Sequence, residues 1–146
     1  SVLFMVGFTC EIDADKILGG LMRMAEGDDI AKEMVEAGLE VMKKAIEEGA
    51  SKHIVTGRMA ASIRAYKPVT NKQGDIVGRI KFHGNDPSKK SKGGQSFDRT
   101  NWIKAFRIEY GTSNERAEPF VSPAILRSEG EIRKVMEAVF EERVKP

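Results

Sequence analysis

With 146 residues, the chain has the length of one domain and can bury roughly 68–70% of its unfolded surface without disulfide or metal staples. Its 40% apolar and 32% charged residues are ordinary globular proportions, its single cysteine excludes an internal disulfide framework, and its longest apolar run, Val2 to Phe8, is too short to span a bilayer. The net charge of +2 conceals a segregation: residues 1–50 carry 5 Lys and Arg against 11 Asp and Glu (−6), residues 51–108 carry 13 against 3 (+10), and residues 109–146 carry 6 against 8 (−2). A basic middle between acidic ends suits a nucleic-acid surface, or a ring in which one end of a subunit meets the opposite end of its neighbour. Charges scattered over solvated faces give the same tally.

Along the chain, Phe4, Val6, Phe8, Cys10 and Ile12 alternate with smaller or polar residues, which predicts a first strand or an extended arm. Asp13 stands where it would cap a short helix through Ala25, a helix opposed by Gly19 and Gly20 at a cost on the order of 1 kcal/mol each. The next pattern is sustained. Asp28 is placed as an N-cap, and Ile30, Ala31, Met34, Val35, Gly38, Leu39, Val41, Met42, Ala45 and Ile46 recur at helical spacing up to Gly49. So wide an apolar arc predicts burial against more than one element, with a sheet on one side and a helix or neighbouring subunit on the other.

Residues 62–69 and 75–82, separated by the polar turn Thr70-Asn71-Lys72-Gln73-Gly74, predict an antiparallel hairpin. In its second arm Ile76, Gly78, Ile80 and Phe82 alternate with Val77, Arg79 and Lys81, as in a half-buried strand. Residues 84–100 are polar, basic and glycine-rich, the composition of a functional or disordered loop. Asn101 to Tyr110 brings back Trp102, Ile103, Ala105, Phe106 and Ile108 at a spacing that permits a short helix or a strand. A terminal helix then opens with Ser122 as N-cap and Pro123 at its first position, with Val121 and Leu126 set as a hydrophobic staple. Ile125, Ile132, Met136 and Val139, flanked by Val135 and Phe140, form its core stripe toward Val144. The sum is an α+β fold, with a long N-terminal helix and a C-terminal helix packed on a small antiparallel sheet. It forms a single domain over 1–146 in which 84–100 is a flexible basic loop.

Catalytic chemistry finds little footing in the residues. His53 and His83 have no Cys or carboxylate at metal-ligand spacing, and a turn after a strand accounts for His83. Cys10 sits in an apolar strand pattern, where an inert buried thiol is the default. The glycines form no GxGxxG and no P-loop. A hydrolase or transferase would need a nucleophile–base pair, which the sequence does not offer. The expectation is therefore no enzyme, no metal and no cofactor. A nucleic-acid-binding module using Lys89, Lys90, Lys92, Arg99, Lys104 and Arg107 is the main alternative, and it would bind DNA with steep salt dependence. Only Phe97, Trp102 and Phe106 lie near that basic stretch, and it matches no DNA-binding motif.

The most informative stretch is Ile108 to Ala124, IEYGTSNERAEPFVSPA. Gly111 admits backbone conformations closed to other residues, Pro119 and Pro123 fix φ on either side, and Phe120 between them is a natural core anchor. A rigid corner of this kind makes structural sense in any fold. Its Glu109-Tyr110-Gly111-Thr112, followed by Pro119-Phe120, Pro123 and Ala124, also resembles the signature of the head–tail joining, or tail-component, proteins of long-tailed bacteriophages and prophages. Upstream, Thr56-Gly57-Arg58-Met59 with Ser62 and Ile63 is similar to that family's TGRL…SI element, and the order of elements matches from Gly7 to Val144. The chain departs from the pattern where family members often carry a proline before the TG pair; here it reads His53-Ile54-Val55.

The resemblance implies a structural virion protein, made in the bacterial host cytoplasm, that assembles into a six-fold ring at the head–tail junction. Its partners would be copies of itself, the phage neck or connector and the tail-tube proteins, with non-specific contact to DNA in the lumen and none to a membrane. The motif residues would set the subunit's shape, and the loop carrying Lys89, Lys90, Lys92 and Arg99 would face a partner or DNA.

Overall fold

The computed structural model describes residues 2–6, 10–13, 28–52, 58–84 and 101–145. The fold is α+β. Strands β1 (Val2–Val6) and β2 (Cys10–Asp13) precede a long helix α1 (Asp28–Ser51) and a single turn α2 (Arg58–Ala61). Strands β3 (Ile63–Thr70) and β4 (Ile76–Phe82) form the predicted hairpin, followed by helices α3 (Asn101–Tyr110) and α4 (Val121–Arg143). The sheet order is β2-β1-β4-β3; β3 and β4 pair antiparallel, as do β1 and β2, while β1 joins β4 in parallel.

Helix α1 is central because its apolar arc is wide enough to be covered twice. Met34, Val35, Leu39, Met42 and Ile46 are all buried to 1% exposure or less, each contributing roughly 1.5–3 kcal/mol. One side of the arc meets the β3–β4 hairpin: a Cβ on Gly78 of β4 would stand 2.7 Å from Val35 Cγ1 and 3.0 Å from Leu39 Cδ1. The other side meets α4, where Gly38 lets Met136 and Ile132 approach and Gly49 abuts the Phe120 carbonyl. With Glu33 paired to Arg143 at the far end, these contacts make α1 and α4 antiparallel. The sequence left open whether a helix or a neighbouring subunit covers this side, and the chain's own α4 does so. Just before α4, the Phe120 ring meets Phe82 of β4 edge-on at 6.0 Å.

The hairpin turn forms for a local reason. Asn71 Oδ1 accepts the backbone N–H groups of Gln73 and Asp75 at 3.0 and 2.9 Å, and Gly74 takes φ +84°, open to glycine at little cost. In β4 Ile76, Gly78, Ile80 and Phe82 are buried while Arg79 and Lys81 are exposed, as the alternation predicts. Val77 departs from it at 3% exposure. The strand is an inner one, paired at Val77 with Leu3 on one side and Val69 on the other, so its second face is not uniformly wet.

The N-terminal alternation is two paired strands, in which Phe4 lies opposite Ile12 and Val6 opposite Cys10. Residues of equal parity face each other across this hairpin, so one long strand and a folded pair share the same pattern. Asp13 ends β2, and the short helix expected through Ala25 lies outside the described residues. Asn101–Tyr110 is a helix: Asn101, Ala105 and Glu109 are buried at i, i+4 spacing, and Ile103 keeps the company that made a strand look equally plausible. No described helix is long and apolar enough to cross a membrane.

Candidate functional site

The two halves of the 108–124 stretch close on each other through one side chain. Glu109, in the last turn of α3, is 3% exposed, and its carboxylate accepts four hydrogen bonds from the start of α4. Oε2 takes the N–H groups of Phe120 and Val121 at 2.7 and 2.8 Å. Oε1 takes the Ser122 N–H at 3.1 Å and the Ser122 hydroxyl at 2.8 Å. The first N–H groups of a helix have no partner inside it, and the helix dipole favours negative charge there. Glu109 therefore serves α4 as an N-terminal cap supplied from another helix. Burial pushes its pKa up, but the hydrogen bonds from Val121, Ser122 and Phe120 outweigh that and hold it below the ordinary carboxylate value.

This capping overturns the predicted start of the last helix. Ser122 is not the N-cap: Phe120 occupies that position with φ −130° and ψ −24° and no side-chain cap bond of its own, and the helix begins at Val121. Pro123 is the third helical residue, still among those whose N–H would find no intrahelical partner, so it remains harmless. The staple fails with the register, since Val121 is buried while Leu126 is 70% exposed. Local rules placed the cap on the nearest hydroxyl; a tertiary carboxylate moved it by two residues.

Between the helices, Gly111 ends α3 with φ +75°, its N–H donating to the Arg107 carbonyl at 2.7 Å. A side chain there would strike the Ala117 nitrogen at 2.7 Å and the Glu115 carbonyl oxygen at 2.8 Å. Thr112 folds the loop over it: its N–H donates to Glu115 O at 2.9 Å, and its Oγ1 accepts the N–H groups of Asn114 and Glu115 at 3.2 and 3.0 Å. Glu118 N–H returns to the Ile108 carbonyl at 2.8 Å. Tyr110 is 52% exposed and stacks at a tilt on Phe106, itself 40% exposed, with centroids 4.9 Å apart. Pro119 is exposed, Phe120 and Ala124 are buried. A shallow cleft of about 330 Å³ beside the loop is lined by Arg107, Ile108, Glu115, Arg116 and Glu118, two cations balanced by two carboxylates.

The upstream element lies partly in view. Thr56 and Gly57 lie outside the described residues, as do His53 and the basic-loop residues Lys89, Lys90, Lys92 and Arg99. Arg58 opens α2. Ser62 is buried; its hydroxyl donates to the Met59 carbonyl at 2.5 Å and its own carbonyl accepts the His83 N–H at 2.9 Å, tying the turn to β4. Ile63 is 1% exposed in the core. The structure thus joins Glu109 to Phe120 and Ser122, whereas Ser62 and Ile63 belong to the entry of the hairpin.

Chemically, the Glu109 carboxylate is fully committed to its four donors and has no free lone pair directed at solvent for proton transfer. Among the described residues, no three His, Cys, Asp or Glu side chains are grouped to hold a metal ion. The capping role of Glu109 was missed in the sequence, where no local signal links a carboxylate to N–H groups 11 to 13 residues away. No protein-family model matches the chain, and neither a curated protein nor a solved structure was found to match it.

Proposed function

We propose that this protein is a structural subunit of the head–tail junction of a tailed phage or prophage, acting by the shape of its packed faces and not by catalysis. Copies of the subunit form a ring, six-fold by the family resemblance, docked between the neck or connector and the tail tube. The observation that carries the reading is the Glu109 cap. The EYGT and PFxxPA halves of the resembled signature have one shared physical task here, holding α3 and α4 at a set angle through four hydrogen bonds to a buried carboxylate. A signature that fixes geometry is what an assembly part needs, because a heterologous ring closes only if each subunit presents its two patches at the right rotation.

Two further features fit. The Phe106–Tyr110 ring pair stands half-exposed beside the rigid corner, and exposed aromatics are the usual anchors of protein interfaces. The charge segregation along the chain fits a ring in which acidic and basic parts of neighbouring copies orient each other. Deleting the gene from an inducible prophage and imaging the lysate by negative-stain electron microscopy tests the proposal. Filled heads beside unattached tails are the expected result. Normal, infectious virions would remove it.

A further inference from the structure

The outer face of the β3–β4 hairpin, turned away from α1, carries three cations that form no ion pair among the described residues. Arg64 lies directly opposite Lys81, and Tyr66 opposite Arg79. All four are exposed, Tyr66 at 38%. Like charges directly opposed across strands are destabilising, so the juxtaposition of Arg64 and Lys81 by itself costs the isolated subunit stability.

Two of the three cations are also held in place. Arg64 Nη1 donates to the carbonyls of Ala61 and Ile63 at 2.7 and 3.0 Å, leaving Nε and Nη2 to bind elsewhere. Lys81 Nζ sits over the Tyr66 ring, 5.5 Å from its centroid, and the Tyr66 hydroxyl is in turn hydrogen-bonded to His83 Nδ1 at 3.2 Å. Long cationic side chains normally lose rotamer entropy when they bind, and side chains already held lose less. Arg79 and Lys81, two residues apart on one strand, are separated by about 6.7 Å along it, twice the ~3.4 Å axial charge spacing on one strand of a duplex.

We infer that this sheet face binds the phosphate backbone of a nucleic acid, with Arg64, Arg79 and Lys81 as phosphate contacts and Tyr66 as the residue that positions Lys81. The contact is sequence-independent, since it presents charge to phosphates and no hydrogen-bonding edge to bases. It differs from the basic 84–107 region weighed from the sequence. It also needs only one subunit, so its failure leaves the ring proposal standing and the reverse holds as well.

Fluorescence anisotropy of the full chain with a fluorescein-labelled 20-base-pair DNA duplex tests it. Three phosphate contacts give a log–log salt slope near −2.7, so affinity should fall about 40-fold between 50 and 200 mM salt. The double variant Arg79→Glu/Lys81→Glu should bind at least tenfold more weakly at 50 mM, with a slope shallower by about 2. The charge-conserving pair Arg79→Lys/Lys81→Arg should bind within about threefold of the parent, and far-UV circular dichroism checks that each variant folds. Three results overturn the inference: no binding by the parent chain at 50 mM salt, full binding by the charge-reversed variant, or loss of binding only when Lys89, Lys90 and Lys92 are replaced. If charge reversal leaves DNA binding intact but changes the sedimenting mass, the face instead contacts an acidic surface of a second copy.

Discussion

Replacing Glu109 by glutamine keeps the side chain's shape and changes only what its terminal atoms can accept. One oxygen of the amide can still take two of the four hydrogen bonds, while the NH₂ group is forced against the donors that the other oxygen served. At least one buried backbone N–H is left unpaired, at about 1–3 kcal/mol. The two surviving bonds fall from charge-assisted to neutral strength, roughly half, and the negative charge at the start of α4 is lost as well. Together these destabilise the fold by about 3 kcal/mol, or roughly 6–12 °C in Tm for a chain of this size. Because the folded-state pKa lies below the ordinary value of about 4.3, the carboxylate's contribution is fully present above that value and is lost as pH falls through the folded pKa. The stability gap between parent and E109Q, read from urea unfolding at several pH values, should therefore be widest above about pH 5 and narrow below about pH 4. The exposed Glu141→Gln serves as control, expected within about 0.5 kcal/mol of the parent. An E109Q chain as stable as the parent at pH 7, or a gap that does not narrow in acid, would refute the capping argument.

Gly111→Ala should cost about 2–4 kcal/mol, because it combines a left-handed backbone with contacts of 2.7 and 2.8 Å to loop backbone; Gly74→Ala, at φ +84° in open space, should cost only about 1 kcal/mol. Equal thermal shifts for the two would mean the loop yields freely. Gly78→Ala forces a methyl to within 2.7 Å of Val35 and should lose about 1–3 kcal/mol, whereas Gly38→Ala meets the pliable end of Met136 and gains helix propensity, leaving stability near the parent's in guanidinium unfolding. Leu126→Ala should change stability by less than about 0.5 kcal/mol while Ile132→Ala costs about 2–5 kcal/mol, given exposures of 70% and 0%. A loss above 1 kcal/mol at Leu126 would restore the staple.

Most of the hairpin and both long helices were legible because their determinants are local or periodic. The α1 stripe from Ile30 to Ile46 repeats with the helix, and Asn71 with Gly74 make the turn from atoms within four residues of each other. The alternation of Ile76, Ile80 and Phe82 with Arg79 and Lys81 states which face is wet. Within 108–124 a rigid corner could be argued from the conformational limits of Gly111, Pro119 and Pro123, whereas Glu109, Tyr110, Thr112 and Ala124 stood out only through the family resemblance.

What the residues could not state was which donors and acceptors meet across the fold. The capping of α4 by Glu109 joins atoms 11 to 13 positions apart, and that bond, not the helix-start rules for Ser122 and Pro123, decides where the helix begins. The helical state of Asn101–Tyr110, the burial of Val77 and the folding back of the N-terminal strand rest on the same ground. Periodic patterns record how often a side chain is buried, not which neighbour buries it. Local geometry was therefore written in the chain, and the choice among partners came only when the layers packed.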